Sequence, residues 1–244
     1  MSIVTKIESV SNNIGSKALL RVIRILPVVG LAALVLLPAP AVAQSTTACG
    51  PDVKEEVARV IASVENAPES QKESVLNELY AKYYPICAQD AKDVPQSFFD
   101  AARECGAAVS NLGSLFYEEM SCSGYDPQRR QFATPIKIKQ VFGFGAAPLP
   151  GSREYVLHCV ADVTGAFVPV GRDSVHLADA LAGQQPTWQF GVITSATENL
   201  QTIQPMNGQT RLARSILSWN LPPTNCNYPP IWGVALTYRI RLDQ

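Results

Sequence analysis

Histidine is almost missing from this 244-residue chain, which has only His158 and His176. No two cysteines form a Cys-x-x-Cys pair, so the usual ligand set of a structural zinc site is lacking. The sequence also has no Gly-x-Ser-x-Gly elbow. It has no EF-hand ladder of acidic residues and no cluster of basic residues. There is no internal repeat and no low-complexity tract. These absences remove the common signals for a metal, a cofactor or a nucleic-acid partner, and none of the three is expected.

What is present begins with Lys17, Arg21 and Arg24, which lead into an apolar run from Ile25 to Leu37. Prolines and then Ala41-Val42-Ala43 follow. This is the order of a secretory signal peptide, with cleavage expected after Ala43 and a periplasmic or extracellular destination. A retained anchor would need about 20 apolar residues, and Pro27, Pro38 and Pro40 interrupt this run. No membrane span is therefore expected once residues 1–43 are removed. The leader takes Lys6, Lys17, Arg21 and Arg24 with one acid, Glu8. From 20 basic and 21 acidic residues, that leaves a net charge of −4.

All six cysteines lie beyond the cut, and an even set in an exported chain reads as disulfides. Asp52, with Glu55 as capping-box partner, opens a helix whose Val53, Val57, Val60, Ile61 and Val64 share one face. Charges are expected to cover its other face. Ser70, with Glu73, opens a second helix that buries Val75, Leu76, Leu79 and Tyr83 and stops at Pro85. The two should form an antiparallel hairpin. That brings Cys49, ahead of the first helix, beside Cys87, past the second. A third helix is expected from Pro95 to Gly113. Cys105–Cys122 and Cys159–Cys226 are the pairings chosen for the remaining cysteines.

The apolar period then changes from 3.6 to 2. Ile136 and Ile138 alternate with Lys137 and Lys139, and Phe142 and Phe144 continue their side. Tyr155 to Val160 is apolar on both faces, and Thr164-Gly165 turns it back. Trp188, Phe190 and Val192 share a face, as do Leu217, Trp219 and Leu221. Trp232, Val234, Leu236, Tyr238, Ile240 and Leu242 alternate without a miss. Strands separated by Gly, Pro and Asn clusters, with no helices between, indicate an antiparallel β-sandwich. The expected fold is α+β: a disulfide-stapled three-helix unit over 44–112, followed by a sandwich domain over 113–244.

Several segments of the second part, by their order and spacing, carry a resemblance. They are Tyr117-Glu118-Glu119-Met120-Ser121-Cys122, Gly124-Tyr125-Asp126-Pro127, and Pro150-Gly151-Ser152-Arg153-Glu154-Tyr155-Val156. Asp173-Ser174-Val175-His176, Arg214-Ser215-Ile216-Leu217-Ser218-Trp219-Asn220 and Pro230-Ile231-Trp232-Gly233 complete it. From Asn111 onward the chain resembles a family of uncharacterised bacterial exported β-domains. The resemblance implies an all-β domain starting near residue 113 and carries no activity.

The candidate chemistry is thin. Ser174 and His176 point the same way on a strand but cannot make a triad's hydrogen bonds without a special turn. His158 lies inside an apolar strand and reads as a buried neutral histidine. Glu118 and Glu119 face opposite sides, so they cannot flank one sugar bond. The inward one needs a partner, for which Arg129 or Arg130 is available. Asp126 and Asp162 stand at turns, where Asx turns are commoner than calcium sites. The tryptophans read as core rather than as a sugar platform. No catalytic residue is assigned.

The segment Pro222 to Pro230 is stiff, apolar and expected to be exposed, which suits a contact surface and equally a rigid hairpin connection. Tyr228, Pro223 and Pro229 are its candidate binding residues. The functional expectation is a non-enzymatic binding or interaction module of the cell envelope, with an unknown protein or glycan as partner. The alternatives are a secreted hydrolase using His176 or Glu118, and a structural envelope component.

Overall fold

A computed structural model of the protein describes residues 49–145, 151–179, 189–204 and 207–243. The expected leader, Pro150 and Trp188 lie outside these residues. Residues 45–244 form one compact unit, an α+β fold in which helices precede two antiparallel sheets. None of the described helices is long and apolar enough to cross a membrane.

Helix α1 runs from Pro51 to Ser63 and α2 from Glu69 to Cys87. Neither has the expected capping box. Gly50 and Pro68 occupy the N-cap positions without a side-chain bond, and Pro51 starts α1 with its φ already helical. Pro85 does not stop α2, which runs two residues past it to Cys87. Ala88 N–H still bonds Tyr84 O at 2.9 Å. Cys49–Cys87 staples the start of α1 to the end of α2, and Lys82 Nζ meets Glu56 Oε1 at 2.9 Å.

Helix α3, Gln96–Glu104, ends nine residues earlier than the apolar spacing suggests. Gly106 takes φ +69°, a left-handed conformation that stops the helix one residue past Cys105. Ala107–Leu112 then forms strand β1, which pairs with the last strand. The expected boundary at residue 113 therefore falls after a sheet strand. Gly113 serves a close approach: a Cβ there would lie 2.4 Å from the carbonyl oxygens of Pro230 and Ile231. Cys105–Cys122 ties the end of α3 to the second sheet.

The remaining strands are β2 Glu118–Glu119, β3 Gly124–Asp126, β4 Gln131–Ile138 and β5 Ser152–Ala161. They continue with β6 Phe167–Leu177, β7 Gln189–Ser195, β8 Thr210–Trp219 and β9 Val234–Arg241. The larger sheet has the order β1-β9-β8-β5-β6. In the smaller, β7 pairs along β4, and β2 and β3 pair with opposite ends of β4. Strand β4 stops at Ile138, so Phe142 and Phe144 do not extend it. Phe144 is buried in the segment that follows, while Phe142 is exposed.

Phe132 and Ile136 of β4 face Val156 and Val160 of β5, Leu217 of β8 and Leu236 of β9 across one core. Trp219 and Trp232 meet edge to face there, ring centres 5.1 Å apart. Val57, Leu79, Tyr83 and Phe98 of the helices belong to the same core. On the other side of the larger sheet, Leu157, Cys159, Ile216 and Ala235 form a small second cluster. The segment after β8 covers it through Cys159–Cys226.

Candidate functional site

Lys54 lies in the apolar register of α1, three residues before Val57 and seven before Ile61. It is therefore carried into the core instead of onto the expected charged face. Its side chain is 1 % exposed. Nζ donates to Glu118 Oε2 at 3.4 Å. It also lies 3.9 Å from the ring centre of Tyr117, 4.5 Å from Trp219 and 4.6 Å from Phe144. Three aromatic faces and a carboxylate thus enclose one ammonium group.

Glu118 and Glu119 separate as the strand period requires. Glu119 faces outward to Lys137 and Lys139, and Glu118 faces inward. Its partner is Lys54, not Arg129 or Arg130. Arg129 pairs with Asp126, and Arg130 pairs with the buried carboxylate of Asp243, which also accepts from Tyr125 Oη at 2.7 Å.

A second buried acid, Glu154 of β5, stands opposite Trp219 in the register with β8. Among the described residues, neither Glu154 oxygen nor Glu118 Oε1 has a hydrogen-bond partner. Burial pushes Glu154 well above the ordinary carboxyl range, and the neighbouring Glu118 charge adds to the shift. Burial also raises Glu118, against the pull of Lys54. The lysine is lowered by burial, and the two glutamates only partly offset this. Two acids sharing one amine in a dry site are best satisfied as a Lys54–Glu118 ion pair with Glu154 protonated.

His158 is fully buried and stacks on Phe132, ring centres 4.4 Å apart. Its Nδ1 lies 2.8 Å from Ser215 Oγ, which is 2.7 Å from Tyr238 Oη and 3.0 Å from Ser123 Oγ. Burial brings His158 down to about 3, so it is neutral at ordinary pH, as its place in an apolar strand suggests. His176 is exposed on β6 opposite Arg153, whose Nη1 donates to Ser174 Oγ at 3.2 Å. Asp126 and Asp162 accept backbone N–H bonds from residues two to four ahead, as Asx-type turns do.

The expectation of an exposed loop from Pro222 to Pro230 needs correction. Pro223 is buried, and Pro229 and Tyr228 are half-buried. The Tyr228 ring packs toward Tyr80 of α2 at 6.0 Å, because Cys226 holds the loop down on the sheet. The loop offers Thr224, Asn225 and Asn227 to solvent.

Around that loop the larger sheet turns arginines outward. Arg172 stands opposite Leu157, and Arg214 opposite Cys159, both members of the outer cluster. Arg153 and Arg239 share that face by strand period, four residues from Leu157 and from Ala235. Arg214 is fixed against Phe167 and bonds Cys226 O and Asn227 Oδ1, each at 2.9 Å. Arg172 Nη1 donates to Pro223 O at 3.3 Å. Arg153, Arg172 and Arg239 are exposed. No aspartate or glutamate occupies an outward position of β5, β8 or β9 or the segment from Asn220 to Gly233.

Neither Lys54 nor this face was singled out from the sequence. The lysine was detectable as position 54 of the 54, 57, 61, 64 spacing. The arginines are scattered over four strands, and pairing alone assembles them. No protein-family model and no curated protein matches the chain.

Proposed function

We propose that this is an exported, non-enzymatic binding module that holds an anionic glycan of the cell envelope on the outward face of its larger sheet. One observation carries the reading: a face with Arg153, Arg172, Arg214 and Arg239, with no acid at an outward position of β5, β8 or β9, on a chain that is otherwise net negative. Guanidinium groups suit carboxylate and phosphate through paired N–H donors. Beside the arginines the face carries Ser174, Thr237, Asn225 and Asn227, the part-exposed rings of Tyr155 and Phe167, and, among the described residues, one large exposed aliphatic side chain, Leu212. A protein partner would ask for a larger apolar centre. Arg172 and Arg214 are already fixed to the loop, so little ordering is needed on binding. The three disulfides fit an oxidising destination.

The hydrolase alternative has less behind it. His176 belongs to the outward face and Glu118 to the interior, so the two do not converge on one substrate.

Calorimetric titration with polygalacturonate, using neutral dextran as control, tests the proposal. The mature chain should bind the acidic polymer, bind it less as salt rises, and leave dextran alone. The triple variant Arg153→Ser, Arg172→Ser, Arg239→Ser should lose on the order of tenfold in affinity while keeping its fold. Equal binding by wild type and variant would refute this assignment.

A further inference from the structure

We propose that Lys54 and Glu118 become joined as a side-chain amide, formed by the folded protein itself with Glu154 as the group that moves the proton. The amine and the carboxyl are held in contact, with Lys54 Nζ 3.4 Å from Glu118 Oε2. Both groups are sealed, with exposures of 1 % and 0 %. The rings of Tyr117, Trp219 and Phe144 wall off the nitrogen.

Energetics favour the product. Keeping an ion pair in a dry core carries a large desolvation penalty for each ion before its attraction is counted. A neutral amide removes both charges, and the excluded solvent protects it from hydrolysis. Burial lowers the lysine and raises both acids, so a neutral amine and a neutral acid are accessible together. Glu154 is the third component. A buried carboxyl with neither oxygen bonded among the described residues is a costly scaffold element. It is well suited to accept and return a proton.

The step balances without a co-reactant. The neutral Lys54 amine attacks the Glu118 carboxyl carbon, and a nitrogen–carbon bond forms. Glu154, protonated at rest, gives its own proton to the departing hydroxyl and takes up the proton of the attacking nitrogen in its place. The carbon–oxygen bond breaks, one water leaves, and Glu154 ends unchanged. The result fastens α1 to β2 across 64 residues of chain with a bond that reduction cannot open.

Intact-mass measurement of the oxidised mature chain tests this, followed by peptide mapping after reduction. The expected mass is lower by one water than that of the chain with its three disulfides. The map should show the Lys54 peptide joined to the Glu118 peptide. A full mass with separate peptides would overturn the proposal. Glu154→Gln should fold with the same circular dichroism and keep the full mass, and a cross-link in that variant would overturn the role of Glu154. Should that variant fail to fold, chain made and kept in guanidinium provides the second arm. It should hold the full mass until refolded and lose one water only then. Loss of water in the denatured chain would contradict formation by the fold.

Discussion

Replacing His158 with phenylalanine should make the protein markedly less sensitive to acid. The imidazole is fully buried, stacked on Phe132 and bonded to Ser215, and burial holds it at about 3 instead of its usual 6.5. The folded state therefore refuses a proton that the unfolded chain accepts below about pH 6.5. A lowered histidine contributes stability that is fully present above the unfolded value and is lost as pH falls toward the folded one. One proton is worth about 1.4 kcal/mol per pH unit, so moving from about pH 7.5 to about pH 4.5 removes about 2.5 kcal/mol through this group. Phenylalanine keeps the ring contact with Phe132 and has nothing to protonate. Ser215 keeps Tyr238 and Ser123 as partners. Buried Glu154 titrates in the opposite sense, since its raised value favours the fold as pH falls. The informative quantity is therefore the difference between wild type and variant. Urea unfolding at the two pH values should show that difference move by about 2.5 kcal/mol in the variant's favour. An unchanged difference would mean that His158 takes its proton inside the fold, and the account of a sealed neutral histidine would be wrong.

Two further outcomes follow from the packing. Replacing Cys159 and Cys226 together with alanine opens a loop of 67 residues and should cost about 4 kcal/mol in denaturant unfolding. A cost under about 1 kcal/mol would show that the loop is held by its other contacts. Tyr228→Ala removes a half-buried ring packed toward Tyr80 and should cost about 2 kcal/mol, visible as a lower melting temperature. An unchanged melting temperature with lost glycan binding would instead make Tyr228 a contact residue.

Much of the fold was legible because its signals are local. Alternation through Val234, Leu236, Tyr238 and Ile240 places β9, and helix length with a short connection brings Cys49 to Cys87. The end of α3 was misplaced because Val109 and Leu112 fit a helical spacing as well as a strand. Pairing with β9, 125 residues away in the case of Ser110 and Ala235, decides between them. The site was harder to see. Lys54 reads as a surface charge until the sandwich supplies Glu118 and three rings around it. Glu154 gains its significance only from Trp219 and Lys54, which lie far from it in sequence. Exposure of the loop from Pro222 to Pro230 was overestimated because proline content says nothing about where Cys226 anchors it.

The central claim is that the outward, arginine-bearing face of the larger sheet receives an anionic glycan. Amide chemical-shift mapping of isotope-labelled residues 44–244 during titration with short oligogalacturonates tests it most directly. The account predicts shifts concentrated at Arg153, Arg172, Arg214, Arg239 and the loop residues Thr224, Asn225 and Asn227, reversed by added salt. Shifts confined to α1, α2 or the β4–β7 sheet, or none at all, would contradict it.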